Sequence, residues 1–198
     1  MTNVPGQYIY VGTPVALITT VNPNGTANIG PMSSAWALGD TVVLGWESTS
    51  QTAGNLERTG ECVINYPDAS LWQQVDAIAK LTGHNPPAPH KADQFSFMED
   101  KWTPSGFTPV PSTRVAPPRI EECPLQCEAE VVAIHEPART NGGVDFRIVE
   151  TRVLEIHAGA RILQAGAERV DTEAWEPLLY VFRDYFGTGR KLGSTQRK

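Results

Sequence analysis

Near the N-terminus, two extended runs flank one tight turn, and this arrangement limits how the chain can pair with itself. Pro14 to Val21 reads PVALITTV, rich in β-branched residues, and stops at Asn22-Pro23-Asn24-Gly25. Thr26 to Gly30 then returns antiparallel. A turn this short cannot join parallel strands, which need a crossover of about a dozen residues or more. Later segments have the same character. Tyr8 to Val11 is a short lead strand, and Thr41 to Trp46 and Glu61 to Tyr66 are strands, the latter stopped by Pro67. Leu125 to His135 alternates as a half-buried strand should. Leu125, Cys127, Ala129, Val131, Ala133 and His135 share one face, with Gln126, Glu128 and Glu130 on the other. Thr140-Asn141-Gly142-Gly143 is a hairpin turn, and Val144 to His157 is a long strand.

Helical signals interrupt this pattern twice. Ser50 or Thr49 can cap a helix over Thr52 to Arg58, which Gly60 closes. From Ser70 to Leu81, the spacing of Leu71, Trp72, Val75, Ile78 and Ala79 predicts an amphipathic helix ending at Gly83. The expected fold is mainly β with inserted helices, an antiparallel barrel and not a βαβ sheet. One domain over residues 1–198 is expected, its core spanning about 8–190 and a basic C-terminal tail following.

Composition narrows the function. The net charge of -6 comes without acidic or basic blocks, which disfavours nucleic acid and membrane surfaces. No apolar run is long enough to span a bilayer, and no basic-then-apolar leader begins the chain. Three cysteines make a poor disulfide framework, so a reducing cytoplasm is expected. Cys123 and Cys127 lack a nearby histidine pair, and no metal site is predicted. Gly187 to Gly193 has the wrong spacing for a dinucleotide fingerprint, and no phosphate-binding G-x-x-x-x-G-K-S/T or G-x-S-x-G elbow occurs.

The stretch from Gly30 to Asn55 carries the chemistry. Ser33, Ser34, Ala35 and Trp36 lie on one side of the Thr41–Trp46 strand; Ser50, Gln51 and Thr52 lie on the other, where a helix begins. Such a pair of hydroxyl clusters beside a tryptophan suits a flat, partly apolar ligand with an anionic tail. Free N–H groups and the helix dipole meet the anion. Lys91 follows the stiff Pro86–Pro89 loop and is the better placed cation, since Arg58 lies toward the far end of its helix.

With these segments in view, the chain resembles the flavin reductase-like, FMN-binding split-barrel family, which includes flavoredoxin-type proteins. The pieces that carry the resemblance are Pro14–Thr20, Asn28–Trp36, Thr52–Leu56 with Gly60–Asn65, Lys91–Phe95, Glu130–His135 and Pro177–Tyr180 with Arg183–Phe186. It implies a Greek-key split barrel, a homodimer with FMN near the subunit interface, and NADH or NADPH as hydride donor. It places FMN contacts at Ser33, Ser34, Ala35 and Trp36 around the ring, at Ser50, Gln51, Thr52 and Asn55 near the ribityl phosphate, and at Lys91. The Pro-rich stretch from Pro104 to Pro118 and the tail from Arg190 depart from the pattern.

Each site has a plainer reading beside it. The helix-start hydroxyls also serve as simple caps, Trp36 divides between core and ring wall, and His135 is expected to be buried and satisfied. Tyr185 and Phe186 belong to the core or cover the flavin. No catalytic acid–base pair stands out, which suits hydride transfer, where the cofactor carries the chemistry. Three functions remain: an NAD(P)H:flavin oxidoreductase able to supply reduced flavin to a monooxygenase; a flavoredoxin-like electron relay; and a split-barrel binding module without flavin.

Overall fold

The computed structural model describes residues 9–137, 145–166 and 168–193. The elements begin with strands β1 (Val11–Pro14), β2 (Ala16–Val21), β3 (Ala27–Met32), β4 (Ala35–Leu38) and β5 (Thr41–Glu47). Helix α1 (Gln51–Thr59), strand β6 (Glu61–Tyr66) and helix α2 (Trp72–Ala77) follow. Next are β7 (Leu81–Thr82), β8 (Ser96–Phe97), α3 (Trp102–Ser105), β9 (Pro109–Val110) and β10 (Arg119–Ile120). The long strands β11 (Leu125–His135) and β12 (Phe146–Ala158) precede the late pair β13 (Leu179–Val181) and β14 (Asp184–Phe186).

Seven strands form one curled antiparallel sheet in the order β3-β2-β6-β11-β12-β5-β4. This is the Greek-key split barrel that the resemblance implies, and it agrees with the antiparallel barrel that the turn-punctuated strands predict. A small sheet, β1-β13-β14, closes over it, tied by the Val15 N–H donating to the Leu178 carbonyl at 2.8 Å. Two apolar clusters flank the main sheet. Ile18, Leu44, Trp46, Leu56, Ile64 and Val149 fill one side; Leu17, Ile29, Val75, Ile78, Ile120 and Leu178 fill the other. Strand β2 therefore does not alternate: Ala16, Leu17, Ile18, Thr19 and Thr20 are all buried, because both its faces are covered.

Helix α1 forms as its sequence dictates. Ser50 caps it, its Oγ accepting from the Ala53 N–H at 3.1 Å. Gly60 ends it in the left-handed region at φ 69°, its N–H donating to the Leu56 carbonyl at 2.9 Å.

Four expectations are corrected. The lead strand begins at Val11, not Tyr8, and Tyr8 and the Thr140–Gly143 turn lie outside the described residues. The Ser70–Leu81 helix is shorter. One 3-10 turn at Ala69–Leu71 leads into α2, which stops at Ala77 because Leu81 and Thr82 join β8 as a parallel pair. His135 is half-exposed and lies 3.4 Å from the Glu150 carboxylate, because a register shift between Val131 and Ala133 breaks the alternation. The largest change concerns Gln126 and Glu128, expected to face solvent, which are buried.

The Pro-rich segment causes that burial by crossing the outer face of β11. It is fastened by Ile120 N–H donating to Asn65 Oδ1 at 2.9 Å and by Arg119 Nη1 donating to Gln126 Oε1 at 3.0 Å. Proline-interrupted backbone cannot satisfy its own N–H groups. The fully buried Glu128 carboxylate takes them, accepting from Thr113 N–H at 2.9 Å, Arg114 N–H at 2.6 Å and His157 Nε2 at 2.7 Å. Burial pushes this carboxyl up, but those hydrogen bonds outweigh it and hold the group below its ordinary value.

A carboxyl whose folded value is depressed stabilises the fold above its unfolded value, and that stability is lost as pH falls through the folded value. Glu128→Ala is therefore expected to cost about 3 kcal/mol, since the Thr113 and Arg114 N–H groups and His157 all lose their acceptor. Urea denaturation against pH measures this, with Glu130→Ala, at an exposed ion pair, costing under about 1 kcal/mol. Glu128→Gln should lose part of the parent's acid sensitivity; equal acid slopes would contradict the assignment.

Candidate functional site

The end of β3 and the end of β5 diverge, and a cleft of about 640 Å³ opens between them. Its floor and walls come from Pro31, Met32, Ser33 and Ser34 after β3, and from Gly45, Trp46 and Glu47 at the end of β5. Ser50 at the start of α1 and Lys91 and Phe95 of a later loop also line it. So do Val75 of α2 and Tyr10, Tyr180 and Tyr185. The shape suits a flat apolar ring with polar contacts at its edge.

Glycine permits the central packing. A Cβ on Gly30 would lie 2.8 Å from the Trp46 ring and 2.5 Å from Thr52 Oγ1, so only glycine lets both side chains close on β3. Trp46 is buried at 7 % exposure, lines the cleft, and its indole Nε1 has no acceptor among the described residues. A buried donor without a partner costs about 1–3 kcal/mol, and a ligand oxygen would remove that cost.

The charged edge is already organised. Glu47 pairs with Lys91, meets His90 Nε2 at 2.5 Å and accepts from Thr49 Oγ1 at 3.0 Å. Partial burial raises the Glu47 carboxyl, but the hydrogen bond and charge of Lys91, with Thr49 and His90, hold it below its ordinary value. The Lys91 Nζ also lies 5.2 Å from the Phe95 ring centroid. Lys91 is thus a held cation, not a free one. Across the cleft, burial, with Asp76 and Tyr180 adding, pushes the Tyr185 phenol up to about 12, so it stays protonated.

The cleft brings together four of the nine residues picked from the sequence: Ser33, Ser34, Ser50 and Lys91. Ala35 is buried in the core. Trp36 stands 58 % exposed on edge strand β4, while Trp46, three strand residues beyond Val43 with which Trp36 pairs, lines the cleft. Thr52 and Asn55 point into a buried polar network. Asn28 Nδ2 donates to Thr52 Oγ1 at 3.0 Å, and Asn55 Nδ2 donates to Thr20 Oγ1 at 3.0 Å and Asn22 Oδ1 at 2.9 Å. Gln51 Nε2 extends the network to Asn55 Oδ1 at 3.0 Å. These side chains hold α1 to the β2–β3 hairpin.

Sequence reasoning missed Trp46, Glu47, Met32 and Tyr180 as lining residues. Glu47 and Trp46 directly precede the second hydroxyl cluster, and that adjacency was the available signal. Tyr185 lines the cleft as one of its two readings proposed, whereas Phe186 is 52 % exposed outside it. Among the described residues no group of three histidine, cysteine or acidic side chains could hold a metal, and no helix is long and apolar enough to cross a membrane. Cys62, Cys123 and Cys127 are free and buried.

Comparison with known proteins gives a consistent picture. The model of the flavin reductase like domain matches residues 9–189. The uncharacterized protein YdfE of Bacillus subtilis (strain 168) is 43 % identical over 192 residues, covering 96 % of this chain and 91 % of that protein. The fold is similar to flavoredoxin of Desulfovibrio vulgaris (Miyazaki F), with TM-score 0.79 and 18 % identity over 100 % of this chain and 98 % of that one. It is also similar to nitrilotriacetate monooxygenase component B from Bacillus cereus, with TM-score 0.76 and 17 % identity over 98 % of each chain.

The network and the cap make separable contributions. Thr52→Ala should destabilise the ligand-free protein by about 1–3 kcal/mol, since the buried Asn28 amide loses its acceptor. Ser50→Ala should cost about 1 kcal/mol as a lost cap. Both are read by urea denaturation, and a Thr52→Ala protein as stable as the parent would contradict the network's role.

Proposed function

Because the chain belongs to the flavin reductase like domain family, we propose that it binds FMN in the cleft around Trp46 and acts as an NAD(P)H:flavin oxidoreductase. The observation that carries this reading is a ring-sized cleft lined by Trp46, whose buried indole N–H has no acceptor among the described residues. When bound, the flavin accepts a hydride from reduced nicotinamide.

The chain's own residues bind, orient and exclude water. Met32, Trp46, Tyr180 and Tyr185 would enclose the ring, and Ser33, Ser34 and the Trp46 indole would donate to its polar edge. At the other end, Gln51 and Thr52 occupy the first turn of α1, where backbone N–H groups have no intrahelical acceptor. These groups and the Lys91 ammonium would hold the phosphate. Ser50 would add its hydroxyl proton, since its oxygen already serves the cap. Thr52 and Asn55 would act on the ligand only through the placement of α1. No side chain need move a proton, because orientation suffices for hydride transfer.

A homodimer belongs to this reading. Trp36 and Leu38 are 58 % and 75 % exposed on edge strand β4, an apolar edge that a second copy would cover. Sedimentation of a stable flavin-loaded monomer would remove the dimer. Similarity to a monooxygenase component B supports a partner monooxygenase that receives reduced flavin.

The purified protein loaded with FMN should bleach on anaerobic addition of NADH or NADPH. A yellow protein indifferent to both would instead be an electron relay, and one that cannot be loaded with any flavin would overturn the reading. Charge at the cleft edge gives a second check. Lys91→Gln removes the cation and leaves the Glu47 charge without its lysine beside the phosphate, so FMN affinity should fall tenfold or more, while riboflavin, lacking phosphate, changes little. Glu47→Gln should do the reverse and tighten FMN. Both effects should shrink in high salt, and equal losses for FMN and riboflavin would place Lys91 at the ring.

A further inference from the structure

A second cavity of about 300 Å³ lies on the other side of the start of α1. Two segments contribute to both spaces. Ser50 lines the first and Gln51 the second, and Phe95 lines the first and Phe97 the second. The start of α1, where anionic groups are favoured, therefore stands between the two cavities.

The second cavity has the chemistry of a nucleoside site. Phe97, 39 % exposed, offers an aromatic surface on which a base can stack. Asn85 supplies an exposed amide with no side-chain partner among the described residues. Glu99 is its one charged group, and Glu99 Oε1 accepts from Asn24 and from Thr26 Oγ1 at 3.3 Å, leaving acceptor capacity for a sugar diol. With no cation among its lining residues, the cavity suits the uncharged end of a nucleotide. Behind it sits a buried acceptor without a donor, Asn28 Oδ1, on a residue only 1 % exposed. A Cβ on Gly83, which lines the cavity, would lie 2.8 Å from that oxygen, so only glycine lets this wall close on Asn28.

We propose that this cavity receives the adenosine end of an adenine dinucleotide whose redox-active ring reaches the main cleft and whose phosphates pass beside the start of α1. The inference rests on the flavin reading above. The same adenosine chemistry belongs to FAD and to the reduced nicotinamide dinucleotides, and the test separates them.

FMN and FAD are titrated by flavin fluorescence against the parent and Phe97→Ala, and FMN-loaded protein is titrated anaerobically with NADH. FAD binding at least tenfold tighter than FMN, with the preference lost in Phe97→Ala and FMN affinity unchanged, supports the site with the flavin as source. Equal flavin affinities, together with a tenfold rise in the NADH needed for half-reduction of Phe97→Ala, support it with the nicotinamide dinucleotide as source. If Phe97→Ala lowers FMN binding itself, Asn85→Ala, a change at an exposed side chain, takes its place in both titrations. Variants that alter neither FAD preference nor NADH demand overturn the inference while leaving the flavin reading intact. A parent that binds neither flavin overturns the flavin reading and this inference with it.

Discussion

A buried polar network fixes where the first helix begins, and the cleft depends on that placement. Thr20, Asn22, Asn28, Thr52 and Asn55 are all buried or nearly so, and they exchange hydrogen bonds across α1 and the β2–β3 hairpin. In a low-dielectric interior such a network is strong when satisfied and costly when broken. It therefore locks the helix in one register against the sheet. Gly30 completes the arrangement by letting Trp46 and Thr52 close on β3. With the helix start fixed, Ser50 and Gln51 stand between two cavities.

Electrostatics at the helix start are balanced and not simply positive. A chain of net charge -6 can attract a phosphate only through local groups. In the proposed reading the first-turn N–H groups of α1 and Lys91 are those groups, yet Glu47 and His90 share the lysine's surroundings. The Glu47 carboxylate holds the ammonium at the cleft edge. Phosphate binding would then exchange one partner of Lys91 for another, which favours a modest and reversible hold on the phosphate over a very tight one.

The β2–β3 hairpin and helix α1 were legible because their signals are local. The Asn22–Gly25 turn, the Ser50 cap and the Gly60 stop each act within a few residues, and β6 and β11 match their expected limits. The fates of Glu128 and His135 were not legible. One is decided by the Pro-rich segment crossing from elsewhere in the chain, the other by a bulge that shifts the alternation. The site divides the same way. Ser33, Ser34, Ser50 and Lys91 reach the cleft from loops and a helix start, where sequence marks them. Thr52 and Asn55 turn inward because they lie one and four residues beyond Gln51 on the face of α1 that meets β2, and only the packed structure shows what covers that face. Trp46 takes the wall position considered for Trp36 because β4 is the sheet's edge and β5 is interior to it.

Trp46 is the proposed wall of a flavin cleft, and its indole N–H reports on that directly. Nitrogen-15 spectra of the protein resolve tryptophan side-chain N–H signals, and a Trp46→Phe variant assigns the one that matters. On stoichiometric addition of FMN, the Trp46 signal should shift strongly as its unpartnered N–H gains an acceptor, while that of exposed Trp72 stays in place. A Trp46 signal that does not move while FMN binds would place the flavin elsewhere and contradict the account.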